Sequence, residues 1–522
     1  MRNFKRLICL ALVVVFAFSM LLTGCGDKKV EPAAADKTVA DNAAPAAENA
    51  EPAKAEAPKD KVKLTMTLVG NKQENDTQKV MDKIAEYLKD SLNVEIDLQV
   101  YGWGDPYEKK INTMLSSGEP FDICFTATWA ANYYLNANKG YFTELNQYLE
   151  KYPSIYEVAG KDFVDASAIG GKNYAVPTNK EHCHNWGYLV LKDKANEYGL
   201  DPSKITKMED MEPFFDKAKA DGLTPLLAIA GDSPYKFTDW DFMSDESIPG
   251  ALYPDNRDSK VINQFFAPES IAMFKKLREY NQKGYIAKDA ATMENTSEQM
   301  STGKFFAVEQ SLKPGKDIEM SQSTKVDWVQ VDITKVIMSN RETVGALLAI
   351  PAASKNAERA YQFIETLYTD KVVRNLLTFG IEGEHYTVNP DGRIKITQAG
   401  VDNYGGGNSF RYGDQMKDLI LETEPIDKWD AYGDYNKSGL VMNSLGFAFM
   451  TENKDTGVNV ENQVSACKAV YQTYYKELYT GSVDVDSTVA KFKADLEAAG
   501  SNEVIAEMQK QYDAWLVANG KK

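Results

Sequence analysis

Tryptophans that adjoin carboxylates or amides are the residues of this 522-residue chain best suited to chemistry or binding. They occur as Asn185-Trp186 with Glu181 just before, Asp239-Trp240-Asp241, Asp327-Trp328 and Lys428-Trp429-Asp430. An indole face packs on flat apolar surface, and a neighbouring carboxylate or amide takes up hydroxyl groups. Such pairs suit a cleft for a polar molecule with apolar faces. Glu309 closes the apolar run 305–308, and Glu382 lies in Gly380-Ile381-Glu382-Gly383, where glycines let backbone come close to a ligand. Each of these has a structural reading beside the functional one: a half-buried surface aromatic, a carboxylate in a salt bridge, or a turn carboxylate that caps a helix.

Other chemistries find less in the sequence. His182-Cys183-His184 supplies two imidazoles, but a zinc site needs three or four ligands and His385 is remote, so no metal is expected. Gly405-Gly406-Gly407 has no Lys-Ser/Thr after it and reads as a turn rather than a phosphate loop. The chain shows no dinucleotide fingerprint and no Gly-x-Ser-x-Gly elbow, so no cofactor is expected. Glycoside hydrolysis would need two carboxylates about 5 to 10 Å apart. With 76 acidic residues, chance pairs are plentiful.

The amino terminus carries an address. Arg2, Lys5 and Arg6 precede an apolar run over 7–22, which ends in Leu22-Thr23-Gly24-Cys25. A charged start, a short apolar stretch and small residues at a cleavage point make a secretory signal. Because the last residue is cysteine, the motif predicts removal of residues 1–24 and acylation of Cys25, an anchor to the outer side of the cell membrane. Residues 25–62 are mainly Ala, Pro, Glu, Lys and Asp, a composition too polar to bury a core, and read as a tether. The formal charge of −17 leaves no basic surplus for nucleic acid. Cys124, Cys183 and Cys467 are odd in number and widely spaced, which argues against a disulfide framework.

Positioning elements follow from periodicity. Residues 63–69 alternate as a strand, 76–92 repeat every four residues as a helix, and 94–100 alternate again. A second helix over 106–115 and an apolar strand over 121–126 complete βαβαβ, the pattern of a largely parallel sheet with helices on its faces. Ligands bind beyond the carboxyl ends of such strands, where the strand order reverses. Those ends carry Asn71, Trp103 and Trp129. A 2-1-3 order favours Trp129 and Asn71 over Trp103. The final stretch, 460–518, is dominated by helical patterns.

Several segments together resemble the extracellular solute-binding lipoproteins of bacterial ABC importers, in their family 1, sugar-associated branch. These are Ser117-Gly118-Glu119-Pro120-Phe121-Asp122-Ile123 with Trp129 and Asn132-Tyr133, Leu312-Lys313-Pro314-Gly315-Lys316-Asp317, Ile350-Pro351-Ala352 with Ser354-Lys355-Asn356, and Gly380-Ile381-Glu382-Gly383-Glu384-His385-Tyr386. The last is the most specific. The resemblance implies an α/β, two-lobed, periplasmic-binding-protein-like type II fold, each lobe a largely parallel sheet flanked by helices, joined by hinge crossings. Crossings are expected at 174–178 followed by 186–191, at 343–351 and near 443–450. The lobes would divide as 63–180 (first), 181–342 (second), 343–442 (return to the first) and 443–522 (helices mainly on the second). The implied function is capture of an extracellular solute, a saccharide, between the lobes and its delivery to ABC permease subunits, by a lipid-anchored monomer without catalysis. A surface-anchored glycoside hydrolase and a solute sensor for a signalling partner are the alternatives. The ligand-binding set expected is Asn71, Trp103, Trp129, Glu181, Asn185, Trp186, Trp240, Glu309, Glu382 and Trp429.

Overall fold

The computed structural model describes residues 60–521 apart from 72, 230, 406–407 and 454–456. The leader, Cys25 and most of the tether therefore lie outside the described residues, as does part of the triple-glycine run. The chain begins with β1 (Val62–Val69), α1 (Thr77–Tyr87), β2 (Val94–Tyr101), α2 (Asp105–Ser117) and β3 (Ile123–Thr126), the βαβαβ series expected. Val80, Met81 and Ile84 bury one face of α1. Pro106 opens the first turn of α2, and Gly118 ends it in the left-handed region at φ 68°. All four residues of β3 are buried, which explains its unbroken apolar reading.

Further along come β4 (Ala175–Pro177), β5 (Asn185–Leu191), β6 (Thr224–Leu227), β7 (Phe305–Leu312), β8 (Trp328–Asp332), the four-residue helix α3 (Asn340–Thr343) and β9 (Leu347–Ala349). After these stand α4 (Lys428–Ser438), α5 (Glu461–Tyr479), α6 (Val485–Ala498) and α7 (Ser501–Ala518). Two sheets result, ordered β2-β1-β3-β9-β4 and β8-β5-β7-β6. The 2-1-3 order posited from the sequence is present, with Met66 paired to both Leu98 and Ile123.

The sheets are mixed rather than largely parallel. In the first, β1 runs parallel to β2 and β3, but β9 lies antiparallel between β3 and β4 because it enters from the far side, after the second sheet is complete. In the second, only β6 and β7 are parallel; β5 is antiparallel to both β7 and β8. Sequence periodicity reports burial, not strand direction, so it gave no sign of this.

Each sheet has its own core. Leu64, Met66, Ile123, Phe125, Val176, Leu348, Tyr361 and Tyr368 fill the first. Tyr188, Val190, Phe215, Phe274 and Phe306 fill the second, together with Cys467, Tyr471 and Leu478 of α5 and Phe492 and Leu496 of α6. A third cluster joins Met243, Ile248, Phe447 and Phe449 to Val504, Met508 and Tyr512 of α7. Cys124, Cys183 and Cys467 are buried free thiols. No helix among the described residues is long and apolar enough to cross a membrane.

Candidate functional site

A cavity of about 760 Å³ opens between the two sheets. Its first-sheet wall is Thr128 and Trp129, just past the end of β3, with Val344 and Gly345 ahead of β9 and Phe410 beside them. The opposite wall comes from Glu181, His184 and Trp186 around the start of β5, Ser311 to Lys313 at the end of β7, α3, the loop 235–247 and one face of α5.

Aromatic surface dominates the first wall. Trp129 is 48% exposed, and its indole N–H donates to the Gly345 carbonyl at 2.8 Å, which fixes the ring's edge while its body faces solvent. Trp103 lies 6.0 Å from Trp129 at an interplanar angle of 26°, and 6.3 Å from Phe410 at 19°. The Trp103 indole donates to Asn71 Oδ1 at 2.7 Å. Three of the expected residues, Asn71, Trp103 and Trp129, thus form one exposed aromatic strip held at its polar edges, although only Trp129 lines the cavity itself.

Charge fills the opposite wall. His184 sits between two carboxylates, with Nδ1 2.7 Å from Glu342 Oε1 and Nε2 2.9 Å from Asp239 Oδ1. Burial alone would lower its pKa, but the Glu342 and Asp239 charges outweigh burial and raise it to about 9. At neutral pH it is an imidazolium donating to both. Asp239 Oδ1 also accepts from the Trp186 indole at 3.0 Å. Glu342 uses its second oxygen to accept from the backbone N–H and hydroxyl of Ser339, the capping box of α3. Nearby, Glu181 pairs with Lys180 at 3.0 Å and with Lys313 at 3.6 Å, and Lys313 and Lys316 share Glu319. Burial pushes Glu181 up, yet the two lysines hold it down at about 2.

Other expected residues are placed differently. Trp186 is only 4% exposed, and its ring carries the Arg341 guanidinium at 4.5 Å and the Lys236 ammonium at 5.0 Å, so it supports cations rather than offering a bare face. Trp240 adjoins the cavity but is also 4% exposed, with its N–H on Ser270 Oγ at 3.0 Å and its ring in the second core. Asn185 points to the other face of β5, bonded to Asp332 at 2.9 Å and Tyr435 at 2.8 Å, outside the cavity lining. Glu309 is fully buried one step behind Trp186 and Ser311, opposite Tyr188, with no hydrogen-bond partner for either carboxyl oxygen. Burial drives its pKa well above the usual range, so it is the neutral acid. Glu382 is exposed in a turn bridged to Tyr386, and Trp429 on α4 donates to the Asp418 carbonyl at 2.8 Å; neither lines the cavity.

The histidines part company. His182 stacks on Phe163 at 3.6 Å and contacts Asn179. His385 joins Asp76 and Glu384 in a group whose ligand atoms lie within 4.8 Å of one another. There Nε2 meets Asp76 at 3.0 Å, Nδ1 accepts from the Ile381 N–H at 2.9 Å, and Lys79 pairs with Glu384, so the group is satisfied by its own partners. Sequence reasoning missed Asp239, Glu342 and Arg341. Asp239 adjoins Trp240 in the sequence, and nothing local to that run marks the aspartate rather than the indole for the cavity.

A two-walled α/β frame with a cavity at the carboxyl ends of its first sheet defines a binding-protein architecture. The model of the bacterial extracellular solute-binding protein family matches residues 71–374, and the chain belongs to that family. A domain of unknown function (DUF3502) matches 444–517. A carbohydrate ABC transporter substrate-binding protein of Streptococcus pneumoniae serotype 4 is 26% identical over 471 residues, 88% of this chain and 91% of that protein. Among solved structures, the N-glycan transport solute-binding protein NgtS of Streptococcus pneumoniae superposes with a TM-score of 0.78 at 26% identity, covering 87% of this chain and 99% of that one. Its complex with Man5GlcNAc gives 0.71 over 88% of this chain and 100% of that one, at 26% identity. An HMO-binding, ABC-transporter-associated solute-binding protein of Bifidobacterium longum infantis, at 14% identity and a TM-score of 0.59 over 87% of this chain and 99% of that one, shares the fold.

Proposed function

We propose that this protein captures a saccharide in the interlobe cavity and hands it to the permease subunits of an ABC importer, held at the outer face of the membrane by lipid on Cys25 and working as a monomer. The observation that carries this reading is the pairing of walls: exposed Trp129, flanked by half-buried Phe410 and backed by Trp103 outside the lining, faces a wall of fixed charges across a cavity of about 760 Å³. Sugars present apolar ring faces edged by hydroxyls, and this arrangement meets both. The relatives that transport carbohydrates support the same substrate class. The divided frame supports a population shift: a ligand touching both walls favours the closed form, and the closed form docks on the transporter.

Binding without bond cleavage is supported by the state of the cavity's carboxylates. Glu181, Asp239, Asp245, Glu246, Glu319 and Glu342 each rest on a lysine or on His184, an arrangement that suits fixed hydrogen-bond acceptors better than a proton-donating acid. A thermal-shift screen of oligosaccharides tests the proposal. A good ligand at a hundredfold excess over its Kd stabilises the fold by about 2.7 kcal/mol. Stabilisation by a peptide or other solute and by no saccharide would remove the sugar assignment.

A further inference from the structure

We propose that Arg341, laid on Trp186, is the specificity-determining residue of the cavity, and that it grips a pair of adjacent oxygen atoms on the bound saccharide. The inference rests on the saccharide reading above. Five lysines line the cavity, and each has an acidic partner: Lys180 and Lys313 on Glu181, Lys316 on Glu319, Lys236 on Glu246 and Lys468 on Asp245. Arg341 differs. Among the described residues its guanidinium makes no close ion pair and no hydrogen bond; the Glu342 charge acts on it only at longer range, and its close side-chain contact is the Trp186 ring at 4.5 Å. The residue is exposed and lines the cavity.

Its mounting is rigid. The backbone N–H of Arg341 donates to Ser339 Oγ at 3.2 Å, inside the capping box that Glu342 completes. Asn340, next to it, donates to the Ser444 carbonyl at 2.9 Å and accepts from the Gly446 N–H at 2.8 Å. Trp186 itself is tied to Asp239 at 3.0 Å. A planar fork of five donors is therefore preorganised over a fixed ring, with its hydrogen-bonding edge unspent.

Closure makes the unspent edge decisive. As the lobes shut, water leaves the guanidinium, and an unpaired cation in a dry cleft is costly unless the ligand supplies acceptors. The fork matches two oxygens side by side, whether the two hydroxyls of a vicinal diol or the carboxylate of an acidic sugar. Both sources present the same chemistry to Arg341. They differ in charge.

The test uses the full chain on a glycan array that carries neutral oligosaccharides (mannopentaose, chitotriose, maltotriose) and carboxylate-bearing ones (3′-sialyllactose, tri-galacturonate), followed by calorimetric titration of the strongest hit. R341Q should weaken that hit by ~10- to 100-fold, the loss of a charge-assisted bidentate contact. R341K keeps the charge and the reach but not the fork, and should recover only part of the affinity. Because the residue is exposed, unchanged melting temperatures of both unliganded variants will separate lost grip from lost fold. Affinity that falls between about 0.05 and 0.5 M NaCl identifies a carboxylate, and salt-indifferent affinity identifies a diol. Array profiles and Kd values that coincide for wild type and R341Q, or full restoration by R341K, overturn the inference and leave the saccharide reading standing. An array with no saccharide hit for wild type brings down both.

Discussion

Raising the pH should release stability stored at His184, and the amount follows from the site. In the unfolded chain this imidazole titrates at its ordinary value of 6.5, whereas in the fold Glu342 and Asp239 hold the proton to about 9. The folded state therefore binds the extra proton between those two values. The contribution is complete below pH 6.5 and lost as pH rises through 9. Two and a half units at 1.36 kcal/mol each make ~3 kcal/mol. Urea unfolding of wild type and His184→Gln at pH 6 and pH 9.5 isolates it, since glutamine keeps a neutral hydrogen bond but cannot titrate. Asp241, which burial raises to about 7, titrates in both proteins and largely cancels in the comparison. Wild type should lose roughly 3 kcal/mol more than the variant across that interval. Equal losses would mean that His184 is neutral in the fold and that the triad is not an ionic one.

Other outcomes are expected at single residues. Trp129→Ala should weaken the saccharide that gives the largest melting shift by ~10-fold or more, measured by calorimetry, because it removes the exposed ring of the first wall. Glu309→Met should leave stability unchanged or raise it at pH 8, since the wild-type carboxyl is buried without a hydrogen-bond partner and loses stability as pH rises from 4.5; a loss above ~2 kcal/mol in urea would show instead an ionised, paired group. Gly187→Ala places a methyl 2.1 Å from the Val331 carbonyl oxygen, so it should destabilise the fold by ~2 kcal/mol or more through the β5–β8 pairing. Cys25→Ser should release the protein from the membrane fraction on cell fractionation, and unchanged membrane retention would refute the anchor.

The first sheet was legible because its signals are local. Alternation in β2 and the fourfold repeat of α1 report directly which faces are buried, β1 alternates only in its first half before both faces bury over Met66–Val69, and the switch point marks Trp129 for the cavity. The charged wall was not legible. Asp239 and Glu342 lie 55 and 158 residues from the histidine they share, and no periodicity links groups that meet only in three dimensions. Trp240 shows the opposite error: two flanking aspartates looked like a binding constellation, but the indole belongs to the core and the first aspartate to the site. Asn185 failed for a simpler reason. One residue along a strand reverses the face, so its neighbour Trp186 turned toward the cavity and Asn185 turned away.

The late return of β9 constrains how the molecule can be made. β3 and β4 cannot be bridged until residues 347–349 arrive, and the second core stays uncovered until α5 and α6 have followed from 461–498. Neither half can finish from the residues that emerge first. Contacts of such long sequence separation are slow to close. A chain of this design closes its first core only with residues 344–412 and its second only with 461–498, so neither half can lock before most of the sequence is present.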